Sequence, residues 1–123
     1  MRGVISLIQL SLLVLLLGCS APRENIDGIN WDEWKSDRNG CNGQRVNYLS
    51  SLTEQREKLK ARSEMEIVKL MGRPDETELY KRNQKFYTYF LKGSSACGGG
   101  DSISTKLVIR FNAMGLAKEV AIE

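Results

Sequence analysis

Ser63-Glu64-Met65-Glu66-Ile67-Val68-Lys69-Leu70-Met71-Gly72-Arg73-Pro74 is a helix written with both its start and its stop. Ser63 and Glu66 have the S-x-x-E spacing of a capping box, in which each side chain satisfies a backbone donor of the first turn. Met65, Ile67, Val68, Leu70 and Met71 supply the apolar residues. Gly72 ends the helix by tolerating positive φ, and Pro74 prevents its continuation. A helix of roughly ten residues is not held by propensity, so this one depends on what it packs against.

Upstream, Val46, Tyr48, Leu49, Leu52 and Leu59 fall largely on one side of a 3.6-residue period, with Glu54, Lys58 and Lys60 mostly elsewhere. This predicts one amphipathic helix over Gln44–Lys60, starting after Asn42-Gly43. Before it stand both tryptophans, Trp31 and Trp34, three residues apart and able to share one face of a helical turn. They have two readings: caps on the edge of the core, or aromatic anchors for a partner, since Trp is enriched among interface hot spots. Asp37, Asn39 and Gly40 lack the distal acidic ligand that a calcium loop needs.

Downstream the period changes. Thr77–Tyr80 reads as a short strand, followed by a turn over Lys81-Arg82-Asn83-Gln84. Lys85-Phe86-Tyr87-Thr88-Tyr89-Phe90-Leu91 is aromatic and carries a strong strand signal, with both faces apolar. Residues 93–102 form a loop, whose Gly98-Gly99-Gly100 lacks the Lys-Ser/Thr and the helix of a phosphate loop. In Thr105–Asn112, Leu107, Ile109 and Phe111 alternate with Lys106, Val108 and Arg110. After a glycine turn at Asn112–Gly115, Leu116, Val120 and Ile122 share a face opposed by Ala117, Glu119 and Ala121. The order is helix, helix, strand, strand, strand, an α+β class in which the final hairpin lies half buried against the helices.

The start of the 123-residue chain sets an expected location. Arg2 is followed by the uncharged, leucine-rich run Val4–Leu17, too short to span a bilayer and matched to an export segment. Leu16-Leu17-Gly18-Cys19 resembles the lipobox of bacterial lipoproteins. That resemblance implies cleavage before Cys19 and anchoring by lipid (palmitate-type) chains on Cys19. Several acyl chains together hold a protein at a membrane durably. The expected organisation is a signal peptide at 1–18, a tether at 19–30 containing Pro22, and one domain at 31–123. Ser20 after the cysteine is consistent with outer-membrane sorting, the domain facing the periplasm.

An exported chain meets an oxidising compartment, where the two remaining cysteines, Cys41 and Cys97, are expected to form a disulfide. Closing a loop of about 57 residues contributes roughly 4 kcal/mol when the effect is treated as chain entropy. There is no histidine, and neither cysteine sits in a C-x-x-C motif, so neither a metal site nor another cofactor is expected. The formal net charge of +3 is spread along the chain, which argues against a nucleic-acid footprint. Asp75 with Glu76, and Asp101 with Lys106, are the best polar pairs for chemistry. With no histidine and no nucleophile elbow, an enzyme is not expected.

Residues 63–74, the aromatic stretch 86–90 and the closing hairpin 107–120 together resemble the SmpA/OmlA-like (BamE-like) outer-membrane lipoproteins, over about residues 63–122. The resemblance implies a two-helix hairpin packed on a small antiparallel sheet of three or four strands, the architecture of β-lactamase-inhibitor-type modules. It also implies a non-catalytic accessory of outer-membrane barrel assembly. The tryptophan segment and the Cys41/Cys97 pair are departures from that pattern. The leading expectation is a membrane-anchored protein-interaction module of the cell envelope, with Trp31, Trp34, Tyr87 and Tyr89 as its contact surface. The alternative is a periplasmic module that inhibits an enzyme or captures a ligand, which rests on fold analogy alone.

Overall fold

The computed structural model describes residues 24–98 and 103–123. The export segment, Cys19, Asp101 and two of the three consecutive glycines lie outside these residues. Helix α1 is Trp31–Ser36, N-capped by Asn30, whose side-chain oxygen accepts from the Asp32 and Glu33 amides at 3.1 and 3.2 Å. Asp32 and Glu33 in its first turn and Lys35 in its last complement the helix dipole.

The single helix expected over Gln44–Lys60 is broken into a 3-10 turn at Arg45–Tyr48, helix α2 at Leu49–Gln55 and a second 3-10 turn at Arg56–Leu59. Side chains bond to carbonyls within this stretch. Thr53 Oγ1 donates to the Leu49 carbonyl at 2.7 Å and Gln55 Nε2 to the Ser51 carbonyl at 3.3 Å. Such side chains compete for the carbonyls a regular helix would use. Helix α3, Glu64–Met71, forms as its sequence requires: Ser63 Oγ accepts from the Glu66 amide at 3.2 Å. Gly72 then takes φ +82° and ψ −176°, a conformation open essentially to glycine alone.

Four strands follow: β1 Glu76–Tyr80, β2 Gln84–Lys92, β3 Thr105–Phe111 and β4 Ala117–Ile122. They form an antiparallel meander in the order β1-β2-β3-β4. The class is therefore α+β, helices first and a four-stranded antiparallel sheet after them. The two-faced aromatic strand is resolved by register. Tyr87 pairs with Ile109 and Tyr89 with Leu107, so these residues face the helices while Phe86 and Thr88 face away. Trp34, Leu52, Leu59, Ile67 and Met71 close the core from the helical side, all fully buried.

Ala117, expected to face outward, is buried. A register shift between Arg110 and Phe111 places two residues of β4 where one would do, and Ala117 turns onto the core side opposite Phe111. The β3–β4 turn is closed by Asn112, whose Oδ1 accepts from the amides of Met114 at 3.0 Å and Leu116 at 3.1 Å. Gly115 there has φ +76°.

The expected tether also needs correction at its C-terminal end. Ile26 is buried in the core, and Arg62 Nη2 donates to the Glu24 carbonyl at 2.6 Å. The Asp27 amide and carbonyl both bond to the Gln55 side chain at 2.8 Å. An apolar side chain with a core cavity to fill and two backbone partners makes 24–30 part of the folded unit.

Candidate functional site

The residues singled out from sequence separate into three groups. Cys41 and Cys97 are joined in a disulfide with their Cα atoms 5.4 Å apart. Cys19 lies outside the described residues. The four aromatics do not form an exposed contact surface: Trp34 and Tyr89 are fully buried, Tyr87 is 9% exposed, and Trp31 is half buried. Trp31 sets its ring edge-on to Trp34, centroids 5.9 Å apart, and Tyr87 meets Phe111 at 4.7 Å. They are core residues because large rings remove the most apolar surface from water in a small domain.

Two of these aromatics, Trp34 and Tyr89, lie against a buried charge. Arg45 lies 4.8 Å over the Trp34 ring and 6.0 Å from that of Tyr89. Its Nε donates to the Trp34 carbonyl at 2.9 Å, and its Nη1 to Asp75 Oδ2 at 2.6 Å and to the Phe90 carbonyl at 3.1 Å. Asp75 also accepts from the amides of Phe90 at 2.8 Å and Asn39 at 3.1 Å. Asp37, fully buried, accepts from the amides of Asn42, Gln44 and Arg45 at 2.6, 2.9 and 2.9 Å. Together these bonds tie α1, the segment 37–45 and β2 to one another. Asp75 is thus a structural clamp and not half of an acid–base pair with Glu76. Burial pushes the Tyr89 phenol up from its ordinary value. Tyr87 is pushed up to about 12 by burial and by its bond to Glu64 Oε1 at 2.8 Å.

Two shallow cavities flank α3. One, of about 680 Å³, is lined in part by Met65, Val68 and Tyr87; the other, of about 370 Å³, by Lys35, Arg38 and Arg73. Two of its cations, Lys35 and Arg38, are already engaged. Lys35 Nζ donates to the Lys69 carbonyl at 3.1 Å, and Arg38 Nη1 to the Arg73 carbonyl at 2.6 Å. Both serve the exposed carbonyls at and just beyond the end of α3, the favourable place for positive charge.

An unsatisfied surface lies elsewhere, on β1. All five of its residues are exposed, Leu79 by 71% and Tyr80 by 57%. β2 occupies one side of β1; on the other, no backbone group of 76–80 has a partner among the described residues. The opposite edge of the sheet is covered where β4 begins, by the Ala61 amide to the Ala117 carbonyl at 2.8 Å and the Ala117 amide to the Arg62 carbonyl at 2.9 Å. Tyr80 reaches back over the outward face to meet Phe86 edge-on at 5.9 Å. The connecting turn holds Arg82 and Asn83 at φ +62° and +59°, a strained conformation for Arg82 that the hairpin imposes. An open edge of this kind is a template for another strand. Its sequence signal was present in Glu76-Thr77-Glu78-Leu79-Tyr80, which alternates without ever supplying a core face.

Among the described residues, no helix is long and apolar enough to cross a membrane, and no group of three or more His, Cys, Asp or Glu side chains is placed to hold a metal ion. Comparison with protein-family models, with curated proteins and with solved structures gives no match.

Proposed function

We propose that this protein is a non-catalytic interaction module of the bacterial cell envelope, held at a membrane by lipid on Cys19, and that β1 is its docking edge. The observation that carries the reading is the five-residue strand with all side chains exposed and one backbone edge without a partner among the described residues. Strand addition to such an edge is a recurrent mode of recognition: main-chain bonds supply affinity and alternate side chains supply specificity. The export segment and lipobox-like Leu16-Leu17-Gly18-Cys19 support the location, and the disulfide accords with an oxidising compartment. The likeness to SmpA/OmlA-type lipoproteins supports an accessory role in outer-membrane protein assembly as the setting.

Membrane fractionation combined with reversible crosslinking tests both halves. Cys19→Ala is expected to move the chain from the membrane pellet to the soluble fraction. Leu79→Asp with Tyr80→Asp is expected to leave it in the pellet and to remove its crosslinked partner. Met114→Asp, at a residue 83% exposed in the β3–β4 turn, serves as the control and is expected to remove neither. A Cys19→Ala chain still in the pellet contradicts the anchor, and unchanged crosslinks in the β1 variant contradict the docking edge.

A further inference from the structure

The charge along β1 says what kind of strand the edge accepts. In the β1–β2 register Glu76 lies opposite Thr88 and Glu78 opposite Phe86, so both glutamates stand on the sheet face turned away from the helices. Both are exposed, and neither has an ion-pair partner among the described residues. Two of the basic residues of β2 and β3 are committed elsewhere, while Lys92 and Lys106 lie past Thr88 in register, beyond the positions opposite the two glutamates. Lys85 Nζ is 3.0 Å from Glu64 Oε1 on the other face, and Arg110 Nη2 is 2.8 Å from Glu119 Oε1. Thr77 and Leu79 alternate with the glutamates and face the opposite way.

A second copy of this chain is a poor occupant. The antiparallel register that pairs all five residues of β1 with themselves sets Glu78 directly against its own copy, and like charges directly opposite are destabilising. The glutamates therefore keep copies apart, a common use of charge on an edge. They leave two carboxylates, two residues apart on one face, with no ion-pair partner among the described residues. From this we infer that the partner is a different protein presenting an extended segment with Lys or Arg at two positions, i and i+2, and an apolar residue between them. The basic side chains lie against Glu76 and Glu78, and the apolar residue between them comes to the Leu79 side of the new strand. This inference rests on the docking-edge reading and adds the chemistry of the partner to it.

The test uses the full chain in detergent micelles and a fluorescent six-residue probe, Thr-Lys-Val-Lys-Val-Thr. It is compared with the same peptide carrying Glu for Lys, and with a shuffled one whose lysines are adjacent and so fall on opposite faces. The alternating lysine peptide is expected to bind about tenfold more tightly than the glutamate peptide, from two cross-strand pairs changing sign. It also outbinds the shuffled peptide, and its affinity falls with added salt. Glu76→Lys with Glu78→Lys, two exposed positions whose replacement leaves the core untouched, is expected to reverse the preference. Equal binding of the lysine and glutamate peptides overturns the inference. So does the absence of binding at about 1 mM, where even a weak site is occupied. If that happens while Leu79→Asp with Tyr80→Asp still abolishes partner crosslinks, the docking edge stands and the basic-strand chemistry alone falls.

Discussion

Asp75→Ala is expected to lower the free energy of unfolding by about 3–5 kcal/mol, the cost of leaving a buried charge without its partner. Arg45 and Asp75 have side chains 1% and 0% exposed, so no water replaces the lost carboxylate. The same substitution strands the amides of Phe90 and Asn39, which bond to Asp75 and tie β2 to the segment after α1. A small domain has only about 5–15 kcal/mol in total, so the loss is a large share of it. The check is urea denaturation followed by tryptophan fluorescence, for which Trp34, beside Arg45, is well placed. Glu119→Ala, which breaks the solvent-exposed pair with Arg110, is expected to move the midpoint little, because exposed pairs are screened. Equal midpoints for the Asp75 variant and the wild type would show that the clamp does not hold the fold together.

Removing the disulfide is the second large effect. Cys41 and Cys97 are 56 residues apart in sequence and both are exposed, so replacing them by serine creates no cavity. The expected loss of about 4 kcal/mol arises in the unfolded chain, which gains the freedom of a large loop. Urea midpoints of Cys41→Ser with Cys97→Ser, read with and without dithiothreitol, check this. The wild type should become less stable on reduction and converge on the double variant, which should not respond to reductant. The bridge and the Asp75 clamp work on the same joint. Gly40, between Asp37 and Cys41, lies so close to β2 that an added Cβ would collide with the Leu91 carbonyl. Loop 37–45 is therefore pressed against the sheet from above and fastened from both sides.

Local signals carried much of the fold. The capping box at Ser63 and the stop at Gly72 delimit α3, and the alternation of Leu107, Ile109 and Phe111 defines the core face of β3. Each is a matter of spacing within a few residues. The interior of the sheet was less legible, because Phe86–Leu91 is apolar on both faces and only pairing with β3 selects Tyr87 and Tyr89. Arg45 falls within the span expected as one amphipathic helix and carries no local signal of its own. Its role depends on Asp75 and Phe90, distant in sequence, which no periodicity connects. Trp34 is open to two readings in sequence, core edge or partner anchor, and its full burial under Arg45 favours the first. The alternation of Glu76–Tyr80 without a core face marks β1 as a strand of the surface, but side chains do not say that its backbone is left unpaired. Only the sheet order exposes it.

The docking edge is tested most directly by placing a photoreactive amino acid at single exposed positions of the full chain in a Gram-negative envelope. Leu79 lies on β1, while Met65 on α3 and Met114 in the β3–β4 turn are at least as exposed. The account predicts a protein adduct from Leu79 and none from Met65 or Met114. Adducts of equal yield from all three positions, or none from Leu79, would contradict it.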